Sequence, residues 1–79
     1  MDSKKKFMIK AIELSKKSID EGGGPFGCVI VKNKKIIAEG YNQVTKNNDP
    51  TAHAEIVTIR EACIKLKTFD LSGSELFTS

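Results

Sequence analysis

Between Phe26 and Lys32 the chain reads Phe-Gly-Cys-Val-Ile-Val-Lys, a nearly unbroken apolar run rich in β-branched residues. A strand with one wet face alternates polar and apolar side chains, whereas an uninterrupted run fits a strand covered on both faces. Such a strand needs helices to cover it, and two segments can supply them. Residues 3 to 21 read as one helix: Phe7, Met8, Ala11, Ile12, Leu14, Ser15, Ser18 and Ile19 recur at three- and four-residue spacing, with lysines opposite. Gly22-Gly23-Gly24-Pro25 stops it. The second helix is predicted from Pro50 to about Lys67, with Ala52, Ile56, Ile59, Ala62, Cys63 and Leu66 as its apolar stripe.

The segments between complete the pattern. Asn33-Lys34-Lys35 is a polar hairpin turn, and the chain returns through Ile36, Ile37 and Ala38 as a second strand ending at Tyr41. A polar loop from Asn42 to Asn48 leads to the second helix. After a turn from Asp70 to Ser74, Glu75-Leu76-Phe77-Thr78 opens a third strand. The predicted order is α-β-β-α-β, a helix-covered sheet. A short third strand at the end of the sequence leaves an apolar sheet edge, to be covered by another subunit or by more of a larger domain. A chain of 79 residues makes one domain at most. At this size it buries only about 60% of its unfolded surface, so a metal, a staple or self-association would help it.

Composition narrows the function classes. Six of the 13 basic residues (Lys4, Lys5, Lys6, Lys10, Lys16 and Lys17) fall in the first helix, and the net charge is +3. A solvated helix face explains them better than a polyanion site, since arginine clusters and interleaved aromatics are absent. Cys28 and Cys63 both lie in apolar stretches and read as buried thiols in a reducing, cytoplasmic setting. No apolar run approaches the ~20 residues of a membrane span.

The stretch richest in chemistry is Asn48-Asp49-Pro50-Thr51-Ala52-His53-Ala54-Glu55, which holds the only histidine. Asp49 is a natural N-cap and Pro50 suits the first helical position. His53 and Glu55 are therefore expected in the first turn, near the positive end of a helix. Neutral imidazole ligates metals, and a carboxylate there can act as a general base that later delivers its proton elsewhere. Residues two apart on a helix do not face each other. The pair can serve one site only if that site lies off the helix end. Spacing alone favours the plainer reading, an ordinary histidine and a dipole-complementing glutamate.

The surrounding residues change that balance. GGPFG leading into a buried strand, GYN after the second strand and NDPTAHAE opening a helix resemble the zinc-dependent nucleobase deaminase (cytidine deaminase) superfamily, and the resemblance spans essentially the whole chain. GGGPFG, NDPTAHAEI and the ELFTS ending are most similar to its guanine deaminase branch. The resemblance implies the N-terminal α-β-β-α-β portion of the cytidine-deaminase-like three-layer α/β/α fold with a mixed sheet, residues 1–79 forming a single, incomplete deaminase domain. It implies that His53 is a ligand of a catalytic Zn2+, which makes bound water acidic near neutral pH. Glu55 would be the catalytic proton shuttle. Asn42, the backbone amide of Ala54, and Phe26 would bind the substrate base. For Phe26, plain core packing explains the residue equally well. Gly24 and Gly27 would allow close backbone approach beside the pocket, as turn formation also would.

The family completes its zinc site with a P-C-x-x-C segment directly after the third strand, and the sequence ends at Ser79 where that segment is expected. A catalytic zinc needs three protein ligands and an open position. Cys63 is ten residues beyond His53, and at 1.5 Å per residue lies about 15 Å along the helix. Cys28 reads as a core thiol. The expected function is hydrolytic deamination of a nucleobase, guanine to xanthine plus ammonia, with this chain supplying the His/Glu half of the site. The expected partners are a small purine base and further copies of the chain, with no membrane and with nucleic acid disfavoured. Two alternatives stay open: a non-catalytic deaminase-fold module that self-associates or pairs with a partner, and tRNA adenosine deaminase-like editing.

Overall fold

The computed structural model describes residues 3–79. Helix α1 spans Ser3–Asp20, strand β1 Gly27–Lys32, strand β2 Lys35–Tyr41, the short helix α2 Val44–Asn47, helix α3 Ala54–Leu66 and strand β3 Ser74–Thr78. The predicted α-β-β-α-β order holds, with α2 added in the segment expected to be a loop. Four residues, Val44 to Asn47, are too few to show a period, and Asn48 ends them in the left-handed conformation at φ 51°. Among the described residues no helix is long and apolar enough to cross a membrane.

The sheet order is β2-β1-β3, with β1 antiparallel to both neighbours. The three described strands contain no parallel pair. β1 is central, which is why its residues are apolar without interruption: Cys28, Val29, Ile30 and Val31 are all at most 4% exposed. Alternate side chains serve different layers. Val29 and Val31 pack with Phe7 and Leu14 of α1, joined by Phe77 of β3, whose ring lies 5.4 Å from that of Phe7. Ile30 packs on the other side with Ala38 and with Ala62 of α3. Full burial of a Val or Ile side chain contributes about 1.5–3 kcal/mol, so this one strand anchors both cores.

A two-residue turn joins β1 to β2, with Asn33 and Lys34 both left-handed at φ 53° and 63°. That geometry matches the twist of the flanking strands. The register slips between Ile30, paired with Ala38, and Val31, paired with Ile36. Ile37 is the extra residue of a β-bulge, so it packs with Ala38 on the α3 side while Ile36 packs on the α1 side.

The helix stripes differ in detail from those expected. On α1, Phe7, Ala11, Leu14, Ser15 and Ser18 are buried, while Ile12 and Ile19 are 44% and 53% exposed. Those two isoleucines lie one step round the helix from the sheet-facing row. On α3 the buried positions are Ala54, Thr58 and Ala62, a row of small residues at four-residue spacing. Ile56, Ile59 and Cys63 are only half-buried, and Leu66 is exposed. The sheet is approached so closely that bulk would not fit. A Cβ on Gly40 of β2 would stand 2.6 Å from the Thr58 hydroxyl, and one on Gly27 of β1 would stand 2.6 Å from the Ser15 amide nitrogen of α1. Gly27 thus permits the close packing of α1 on β1. The lysines of α1 lie on its solvated side: Lys4, Lys5, Lys6, Lys16 and Lys17 are exposed.

Candidate active site

Helix α3 begins at Ala54, with His53 as its N-cap residue at φ −67° and ψ 156°. The sequence placed the cap at Asp49 and the first helical residue at Pro50, and the structure corrects both. Asp49 spends its carboxylate locally, accepting from the Thr51 amide at 2.9 Å and the Thr51 hydroxyl at 2.7 Å. Those two bonds hold the Asp49 carboxyl below its ordinary value, and the nearby Arg60 guanidinium lowers it further. This is an Asx turn, in which a short acidic side chain captures the backbone two residues on. Beyond it the Ala52 carbonyl accepts from the Gln43 amide at 2.8 Å. A chain tied sideways at Ala52 cannot yet wind into α3, so the helix starts later.

The shift bears directly on the chemistry. His53 is exposed and stands off the end of α3, its carbonyl accepting the first helical bond from Val57 at 2.9 Å, with no side chain capping the turn. Glu55 follows in the first turn and is half-buried; Ala54 between them is 1% exposed. The difficulty that two residues two apart cannot share a helix flank disappears, since His53 precedes the helix. Burial pushes the Cys28 thiol up, the Thr58 hydroxyl opposes that rise, and the negative charge of Glu55 adds to it.

Two further segments meet this helix end. The Asn42 amide donates to the Phe26 carbonyl at 3.1 Å, and the next residue, Gln43, makes the bond to Ala52. Phe26, Asn42 and the His53–Glu55 turn are thus linked by backbone hydrogen bonds, although they come from three parts of the sequence. The Asn42 side-chain oxygen accepts from the Val44 amide at 3.1 Å. Since a backbone N–H must face an acceptor, the carboxamide NH2 is the group left to donate. Phe26 is 48% exposed. The core-packing reading of that ring is set aside. Gly24 lies against the ring, where a Cβ would stand 3.2 Å from Phe26 Cδ2.

The flanks of Asn42 are clamped as well. Tyr41 donates its hydroxyl to the Glu21 carboxylate at 2.9 Å, and Lys46 of α2 reaches the same carboxylate at 2.9 Å. Lys46 and then Tyr41 hold Glu21 below the usual carboxylate range. Sequence patterning missed this clamp, the Asx turn and Ser18. The last had a signal, a serine in a core-facing row. A hollow of about 610 Å³ lies elsewhere, along the open edge of β2 between α1 and α3, lined by Leu14, Lys17, Tyr41, Val57 and Glu61 among others. It includes neither His53 nor Glu55.

As a zinc site the described residues are incomplete. His53 is an accessible imidazole, but no group of three His, Cys, Asp or Glu side chains among the described residues could hold a metal. Cys28 is buried within the sheet and Cys63, half-buried rather than fully buried as expected, sits further along α3. Among the described residues the accessible imidazole of His53 therefore stands without companions that could complete a metal site.

Residues 1–79 match the cytidine and deoxycytidylate deaminase zinc-binding region. The chain belongs to that deaminase family. It is 51% identical over 74 residues to the guanine deaminase of Bacillus subtilis, covering 92% of this chain and 47% of that protein. It is 41% identical over 76 residues to the tRNA-specific adenosine deaminase of Aquifex aeolicus, covering 96% of this chain and 50% of that one. The X-ray structure of the Bacillus subtilis guanine deaminase superposes with a TM-score of 0.91 at 50% identity, over 95% of this chain and 48% of that chain. A structure from work on A-to-I editing by tRNA:A34 deaminases gives 0.95 at 33% identity, over 99% and 60%. The deaminase chain spans about half the length of the curated relatives it matches. Because relatives named for guanine and for tRNA are both similar to it, the expectation that disfavours nucleic acid is not upheld.

Proposed function

We propose that this chain contributes the His53–Glu55 half of a zinc-dependent nucleobase deaminase site, with guanine as substrate and xanthine and ammonia as products. The observation that carries the reading is the start of α3 at Ala54. It sets His53 off the helix end and Glu55 in the first turn, with Asn42 tied alongside through the Gln43–Ala52 bond. His53 would be a zinc ligand, the rest of the set coming from residues outside this chain. When bound, the metal supplies an acidified water. Glu55 would take a proton from the attacking water and pass it to the ring nitrogen and then to the departing amine, so that water enters and ammonia leaves. The Asn42 NH2 would donate to an acceptor on the base, a ring nitrogen or a carbonyl. The Ala54 amide, in the uncapped first turn, and the exposed ring of Phe26 would line the same space. The identity to the Bacillus subtilis guanine deaminase supports guanine.

A second reading, deamination of a tRNA adenosine, is favoured by the Aquifex aeolicus relative and by the exposed lysines of α1. Competition on the full-length gene product separates the two. Guanine turnover with no effect of added tRNA is the expected result. Inosine formed in tRNA, in place of xanthine and with an affinity that falls steeply as salt rises, would replace the guanine reading. A product that binds guanine and releases no ammonia would be the non-catalytic module.

A further inference from the structure

Ser18 lies on α1, outside both segments that carry the substrate-binding candidates, and its side chain bonds the Gly24 and Asn42 carbonyls between them. It is 0% exposed, and its hydroxyl donates to the Gly24 carbonyl at 2.6 Å with the Asn42 carbonyl as a second acceptor at 3.4 Å. The Ser18 carbonyl accepts from the Gly23 amide at 2.8 Å. The three segments touch with no slack. A Cβ on Gly23 would stand 2.8 Å from the Ser18 hydroxyl oxygen and 3.1 Å from the Asn42 carbonyl oxygen. From this junction the bonds run outward to the site. The Phe26 amide donates to the same Gly24 carbonyl at 2.9 Å, and the Asn42 amide to the Phe26 carbonyl at 3.1 Å.

We infer that Ser18 is a positioning residue, holding Phe26 and Asn42 at a fixed separation from behind so that the pair presents one surface to a planar base. A hydroxyl suits the task better than any apolar side chain of its size. Two carbonyls converge on the hydroxyl, and without it the Asn42 carbonyl loses this donor while the Gly24 carbonyl keeps only the Phe26 amide. The inference rests on the proposed base-binding role of Phe26 and Asn42, but the geometry it asserts can be read independently of turnover.

The test compares Ser18→Ala, which removes the donor, with Ser18→Cys, which keeps a weak donor of similar shape. Amide hydrogen exchange on the 79-residue chain is read at Phe26, Asn42 and Val44 and, as an internal control, at Val29 and Ile30 in the sheet centre. Losing the hydroxyl is expected to speed exchange at the first three by about tenfold relative to the control, as one lost buried bond implies, with Ser18→Cys in between. In the full-length gene product the same change should raise KM for guanine by about tenfold while kcat stays within about threefold. Equal acceleration at all five amides, or none at any, would overturn the positioning role, as would a fall in kcat with KM unchanged. If the unaltered product turns over no guanine, the proposed function fails. The exchange comparison still decides whether Ser18 holds the two residues together.

Discussion

Glu55→Gln is expected to lower kcat for deamination by at least about 10²-fold in the full-length gene product, with zinc content unchanged, because general acid–base catalysis is worth about 10²–10⁴-fold. Glutamine keeps the size and the hydrogen-bonding reach of the side chain but cannot carry a proton from water to the leaving amine. The position sets the expectation. Glu55 is half-buried in the first turn of α3, and its turn is linked to the Asn42 segment through the Ala52–Gln43 bond. It is not the N-cap, so its removal should leave the helix start intact; His53 holds that place through its backbone alone. Kinetics and metal analysis on the same preparation check it. Retained turnover would remove Glu55 from the mechanism, and lost zinc would make it a ligand.

The largest effect on stability is expected at Gly27. A Cβ there would stand 2.6 Å from the Ser15 amide nitrogen and 2.8 Å from Leu14 Cβ, and also against the Ala11 carbonyl. These are mostly backbone obstacles, which rotamer changes cannot clear, so Gly27→Ala must push α1 off the sheet. Overpacking of this kind costs about 3 kcal/mol, at the top of the usual range. For a domain of this size that corresponds to a fall in Tm of roughly 12–24 °C. A thermal melt followed by circular dichroism is the check, and a shift of under about 4 °C, which is less than about 1 kcal/mol, would show that α1 can yield. Gly40→Ala should be milder, since its nearest obstacle is the Thr58 side-chain hydroxyl at 2.6 Å.

These residues also mark how far the sequence could be read. The run from Cys28 to Val31 announced a two-sided strand because nothing polar interrupts it, and the structure places α1 on one face and α3 on the other. The turn at Asn33-Lys34 and the glycines after α1 were equally local signals. What failed was non-local. Asp49 and Pro50 form a good helix start by local rules, but a hydrogen bond from Gln43 to Ala52 delays α3 to Ala54. The row Ala54, Thr58 and Ala62 lacks the bulk that marks a core face, because close approach to Gly40 forbids it. The resemblance singled out His53, Glu55, Asn42 and Phe26, and the structure brings their segments together. Spacing alone could not, since the links among them run through backbone bonds between distant parts of the chain. Ser18 was visible as a serine in the core-facing row of α1, but its bonds were not, because its two acceptors are main-chain carbonyls, which no sequence pattern records.

The central claim is that this deaminase chain holds half of a working site on the N-terminal end of α3. It is tested most directly by complementation with a known second half. The chain would be fused, in register after Ser79, to the half of the Bacillus subtilis guanine deaminase that it does not match, and ammonia release from guanine would be measured alongside zinc content. The account predicts about one zinc per chain and xanthine formed in step with ammonia, with neither from the 79-residue chain alone. A folded fusion that holds zinc yet releases no ammonia from guanine would contradict it.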